Sequence, residues 1–247
     1  MNDPQNMIIS IVIPTINEAQ RIGALLQYLK SNCDPSICEI IVADGGSSDQ
    51  TVPLAIESGA KVLKTNRGRA CQLNAGAKEA KGEILYFLHA DTLPPKHFVV
   101  LIREAILAGK MAGCFRSHFD SSRKALKLNT WFTRFDGFYS GGGDQSLFIH
   151  RKVFDSHGGY DEKCIIMEDF DLTRKLKRAG SFCILQEEIL VSARKYENNS
   201  YFRVSAANSI IFTLYRLGLP LKRLHQLYSV LIKSHPGSIG ETKQTLE

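Results

Sequence analysis

The stretch Tyr86–Pro95 reads YFLHADTLPP and sets two ionisable groups where a core strand ends. Its apolar run, Ile84 to Leu88, has the character of a buried strand, yet it delivers His89 and Asp91 at its carboxyl end. A carboxylate there is costly unless something pairs with it. The same pattern recurs upstream. Ile8–Ile13 runs into Pro14, Thr15, Asn17 and Glu18; Glu39–Ala43 runs into Asp44; Lys61–Lys64 runs into Arg67 and Arg69. The two arginines flank Gly68 just before a helix start. Guanidinium groups, backbone amides and the helix dipole would together form an anion site, with a solvated basic turn as the alternative. Glu168-Asp169 opens another helical segment, where spacing alone gives carboxylates a capping role. Gly141-Gly142-Gly143 precedes Asp144 and Gln145, but no Gly-Lys-Ser/Thr follows, which excludes a P-loop.

These groups need a scaffold that brings strand ends to one edge. Helical signals alternate with the strand runs: Asn17 is placed to cap a helix whose Ile22, Leu25, Leu26 and Leu29 share a face, and Thr51–Ser58, Arg69–Ala80 and Lys96–Ala108 follow. Strands separated by helices predict an α/β fold with a mainly parallel sheet covered on both faces. In such a sheet, ligands bind just beyond the carboxyl ends of the strands. After Gly109 the rhythm loosens. Met111–Phe119 and Ser146–His150 read as strands of a mixed extension, with the basic, aromatic segment Arg123–Phe138 (including Trp131) between them. Glu168–Ala179 reads as a helix, and Tyr201–Lys233 as two helices broken at Gly218-Leu219-Pro220.

The segments IVIPTINEA, VADGGSSDQT, RGRACQLNAGA, FLHADTLPP, GGDQSLF and MEDFDLTRKL resemble, in order, the motif series of family 2 glycosyltransferases of the GT-A fold. The likeness runs from about Ser10 to Arg194, and the RGRAxQxNAG and HAD forms are similar to a bacterial subgroup labelled arsenosugar-biosynthesis glycosyltransferases. It implies a metal-dependent, inverting enzyme of hexosyltransferase type, moving a sugar from a nucleotide-diphosphate donor, UDP favoured, to a hydroxyl acceptor. Pro14, Thr15, Glu18, Asp44, Arg69, His89 and Asp91 would face the donor. Asp91 matches the position that holds Mg²⁺ or Mn²⁺, hard cations suited to oxygen ligands. His89 stands where the family's first Asp would be, and is expected to hydrogen-bond the ribose or diphosphate rather than the metal. Asp169 matches the general base, with Glu168 beside it in a supporting catalytic role. Asp144, Gln145 and Arg194 would line the acceptor side. Bland alternatives stand beside these roles: a cap for Asp91, turn chemistry for Asp44, a first-turn position for Glu18, a loop entry for Asp144 and Gln145, a surface position for Arg194. Gln72 and Asn74 receive no chemistry and could brace a loop.

The chain has 247 residues, a formal charge of +6 and 44% apolar content, enough for one large core and a preference for anionic partners. That charge is too mild to argue for nucleic acid. Cys33, Cys38, Cys71, Cys114, Cys164 and Cys183 show no metal spacing and read as reduced thiols of a cytoplasmic protein. No signal peptide or spanning segment is evident. The expected organisation is a GT-A domain over residues 1–200, amphipathic helices over 201–235 and a tail over 236–247. The basic helices suit docking on the domain, a homodimer face, or the inner face of a membrane. Two rival functions remain: a sugar-phosphate nucleotidyltransferase, which would carry a Gly-rich, Lys-containing loop after the first strand, and a non-catalytic nucleotide-sugar-binding protein.

Overall fold

A computed structural model describes residues 7–120, 145–180, 182–196 and 198–233. Asp144 and the aromatic segment around Trp131 lie outside the described residues. The first half alternates β1 (Ile9–Thr15), α1 (Ala19–Asn32), β2 (Cys38–Asp44), α2 (Thr51–Glu57), β3 (Lys61–Lys64), α3 (Arg69–Glu79) and β4 (Ile84–Phe87). The two-residue β5 (Thr92–Leu93) and α4 (Phe98–Leu107) follow, then β6 (Ala112–Phe119), β7 (Leu147–His150), α5 (Arg151–Ser156), α6 (Glu168–Arg178) and β8 (Phe182–Val191). A 3₁₀ turn (Ala193–Tyr196) leads into α7 (Tyr201–Arg216) and α8 (Leu221–Leu231).

Among the described residues, eight strands form one sheet in the order β3-β2-β1-β4-β7-β6-β8-β5. The first four are mutually parallel; β7 runs antiparallel to both β4 and β6, and β6 parallel to β8. Side-chain alternation divides the sheet between two cores. Ile9, Ile11 and Ile13 of β1, with Ile84 and Tyr86 of β4, face α1 and α4, and Val204, Ala207 and Ile232 from the C-terminal region join them. Val12, Leu85 and Phe87 face Leu73 and Ala77 of α3, Phe154 of α5 and Leu172 and Leu176 of α6. Both faces are covered, as a mainly parallel sheet requires.

Close approach of α3 to β1 depends on Gly76: a Cβ there would stand 2.3 Å from Cγ1 of Val12. Three elements depart from the sequence expectation. Asn17 does not cap α1. It takes a left-handed backbone (φ 53°) and its side chain accepts from the Ser48 amide at 2.8 Å, while Asp49 from the neighbouring loop accepts from Ala19 N–H at 3.1 Å. The ten-residue β8 was not evident, because Gln186-Glu187-Glu188 interrupts its apolar run; the pairing with β6 shifts register there, and Arg116 meets Glu188 at 2.7 Å. Asp91 does not cap a helix, since β5 intervenes and α4 begins only at Phe98.

Candidate active site

Strands β1 and β2 end side by side, with Thr15 in register with Asp44. Both residues are buried, and the Thr15 hydroxyl donates to Asp44 Oδ1 at 3.2 Å. Asp44 Oδ2 accepts from the amides of Gly46 (3.0 Å) and Ser47 (2.9 Å), and the Ser47 hydroxyl donates to Oδ1. Four donors thus balance one buried carboxylate and shape the turn after β2. Gly46, at φ 94°, supplies a conformation L-residues rarely take. Buried Gln72 of α3 donates to the carbonyls of Thr15 and Ala43, both at 2.8 Å, so an amide to which sequence reasoning gave no chemistry braces two strand ends at once. Pro14 lies buried beside Ala43, one residue before Thr15.

A second cluster forms where α3, β4 and α6 meet. Gly68, at φ 140°, turns the chain into α3 and sets Arg69 at its start. The Arg69 guanidinium contacts His89 Nδ1 and lies 3.5 Å from the Glu168 carboxylate, which is buried in the first turn of α6. Because Arg can only donate, His89 Nδ1 must accept. Burial, then the Arg69 charge, hold the imidazole well below its ordinary pKa, so the ring is neutral and its proton sits on Nε2. Asp169, half-buried, follows Glu168 in the same turn, and Met167 enters α6 with φ 70°. Arg67 is exposed.

The third cluster joins residues far apart in sequence. Arg194 donates to Glu18 at 3.1 and 3.3 Å and lies 3.5 Å from Asp91. The short pairing of β5 with β8 brings them together, aided by the Ser192 amide, which donates to the Asp91 carbonyl at 3.1 Å. Burial raises the pKa of Glu18; the Arg194 contact opposes this, and the nearby Asp91 charge adds to it. Arg194 is therefore part of the cluster rather than a surface residue. Gln145 is buried and donates to the Phe115 carbonyl at 3.2 Å.

A hard divalent ion that arrives with a diphosphate takes most of its ligands from phosphate and water, and asks one or two carboxylates of the protein. Asp91, with 26% of its side chain exposed at the rim, fits that role. Among the described residues no three His, Cys, Asp or Glu side chains are grouped so that they could hold a metal ion.

Residues 10–160 match the family described as Glycosyl transferase family 2. Among curated proteins, the undecaprenyl-phosphate 4-deoxy-4-formamido-L-arabinose transferase of Aeromonas hydrophila is 31% identical over 145 residues, covering 54% of this chain and 42% of the relative. Succinoglycan biosynthesis protein ExoA of Rhizobium meliloti is 28% identical over 192 residues, covering 69% and 58%. The chain thus spans only about half the length of these relatives. Among solved structures, the mannosyltransferase PcManGT from Pyrobaculum calidifontis, in complex with GDP-Man and Mn²⁺, superposes with a TM-score of 0.65 at 18% identity, over 93% of this chain and 71% of that one. At that identity the likeness shows the fold, which is GT-A. Six motifs in order, a mixed sheet of this topology and a match over more than half the chain have one explanation: the protein belongs to the family 2 glycosyltransferases.

Proposed function

We propose that the protein transfers a sugar from a nucleoside-diphosphate donor, UDP favoured, to a hydroxyl acceptor with inversion at the anomeric carbon. The observation that carries this is the gathering of Asp44, Arg69, His89 and Asp91 beyond the strand ends, with Glu168 and Arg194 closing on them from later elements. Thr15 and Asp44 would form the nucleoside side of the site, Asp44 by using its acceptor positions to hold the Gly46–Ser47 turn against the base and ribose. Arg69 and Arg194 would face the diphosphate, and neutral His89 would donate from Nε2 to ribose or phosphate. Asp91 would hold Mg²⁺ or Mn²⁺, whose charge stabilises the departing diphosphate. Asp169 would accept the proton of the acceptor hydroxyl as that oxygen bonds to the anomeric carbon and the bond to the diphosphate oxygen breaks. A single displacement of this kind inverts the centre. Gln145 and Asp144 would lie on the acceptor side. The narrower likeness to the arsenosugar-biosynthesis subgroup belongs with this reading and rests on the Arg67–Gly76 and His89–Asp91 segments alone.

Thermal shift against UDP-, GDP- and TDP-sugars, with and without Mn²⁺, tests it. The expected result is a Mn²⁺-dependent rise in Tm with one nucleotide class, UDP first, followed by nucleotide release in turnover. No shift with any of them would refute the reading, and a shift without release would favour a binding protein.

A second surface bears on the acceptor. Helices α7 and α8 dock on the domain through Val204, Ala207 and Ile232, and the Tyr215 hydroxyl reaches Asp171 at 3.4 Å. Their outer side exposes Phe202 (79%), Leu217 (72%) and Val230 (75%) among Arg203, Arg216, Lys222, Arg223 and Lys233, with no Asp or Glu from residue 198 to 233. No described helix is long and apolar enough to cross a membrane. This composition supports peripheral contact with an anionic bilayer, where a lipid-linked acceptor would be met.

A further inference from the structure

The hydroxyl of Tyr160 is buried and has no hydrogen-bond partner among the described residues, in the wall behind the first turn of α6. The ring meets Phe87 of β4 edge-on (centroids 5.1 Å, 81°) and Phe154 of α5 (5.8 Å), and shares its core with Leu172 and Leu176. Its backbone is clamped as well. The Asn74 side chain of α3 donates to the Tyr160 carbonyl at 2.9 Å and accepts from its N–H at 3.0 Å. Gly159 (φ 69°) lies so close that a Cβ would stand 2.8 Å from the Asn74 amide oxygen.

Packing alone needs the ring, not the hydroxyl, and a stranded buried hydroxyl is costly. The charged groups near it are Asp169 and Glu168 on α6 and Arg69 on α3. Arg69 offers no acceptor and is engaged with His89 and Glu168, and Glu168 faces that guanidinium. Asp169 lies one helical turn before Leu172, which packs in the Tyr160 cluster, so the helix carries its carboxylate on the side of the phenol. Hydrogen bonds among catalytic groups often tighten only when substrate is bound.

We infer that Tyr160 is a positioning residue for Asp169: its hydroxyl donates to the carboxylate when the site is filled and fixes the oxygen that receives the acceptor's proton. This rests on the reading of Asp169 as the base. Burial first, and then the Asp169 charge, push the phenol well above its ordinary pKa, so it stays a donor across the working range.

The test uses the full chain and the nucleotide-sugar giving the largest thermal shift in Mn²⁺, with water as acceptor and nucleotide release as readout. Tyr160→Phe is expected to lower kcat about tenfold, with the donor KM within about twofold. Because a donated hydrogen bond favours the charged carboxylate, its loss should move the acid limb of kcat to higher pH. Tm should be no lower than in the parent chain, since the variant removes only the stranded hydroxyl. Asp169→Asn should lower kcat by about 10²–10⁴. If Tyr160→Phe keeps both kcat and the acid limb while Asp169→Asn abolishes release, the inference falls and the base assignment stands. If kcat falls with a lowered Tm and an unmoved limb, the role is packing and the inference also falls. Full turnover by Asp169→Asn would remove both.

Discussion

Arg194 stands between two carboxylates, and its side chain is 18% exposed against 11% for Glu18 and 26% for Asp91. Replacing it by Ala would leave two negative groups facing each other in a half-buried recess. Such a change is expected to cost about 1–3 kcal/mol in urea denaturation at pH 7. Adding Mn²⁺ with a nucleoside diphosphate should restore part of that loss, since positive charge returns to the same place; an Arg194→Ala protein as stable as its parent in every condition would dismiss the pairing. The charged members of this recess stand out in the sequence because each follows an apolar run. Their pairing does not: 176 positions separate Glu18 from Arg194, and the β5–β8 pairing brings them together. Gln72 reads in the sequence only as a possible loop brace, for a different reason. A polar side chain on a helix is usually solvated, and only the packing of α3 against β1 reveals that this one meets two carbonyls.

Periodicity made most elements legible, because strand alternation and helical stripes are direct images of burial. It failed where burial is incomplete. Strand β8 exposes Gln186, Glu187 and Glu188 in its middle, and the six-residue α5 is too short to show a stripe. Asn17 illustrates a third failure: its residue type suits an N-cap, but the left-handed backbone turns the side chain across to the β2–α2 loop. The spacing of α3 from the sheet was equally invisible, since Gly76 in a helix reads only as a weak former. Gly76→Ala is expected to destabilise the fold by about 1–3 kcal/mol through overpacking against Val12, lowering the urea midpoint with little change in m. Because α3 carries Arg69 and Gln72, the same variant should raise the donor KM. A neutral midpoint would mean that β1 yields without strain.

Across the whole molecule, the GT-A sheet brings the ends of β1, β2 and β4 to one edge, while α7 and α8 close the core and turn a basic, acid-free side outward. Flotation with vesicles containing anionic lipid should carry the protein upward at low salt and release it as ionic strength rises. Lys222→Glu with Arg223→Glu, both exposed in the first turn of α8, should abolish the effect without lowering Tm; binding equal on neutral vesicles would assign it to the apolar residues alone, and no flotation in any condition would remove the membrane contact. The docking of these helices required the third dimension, because their buried residues Val204, Ala207 and Ile211 make only a narrow stripe in an otherwise mixed sequence.

With four cationic side chains in those helices, Lys233 just beyond them and not one anionic group from residue 198 to 233, nearly all of the +6 excess is concentrated in one region of the chain. The molecule is in effect an electric lever. In the field of a negatively charged sheet it would feel a torque before any contact, and so arrive already turned the right way up.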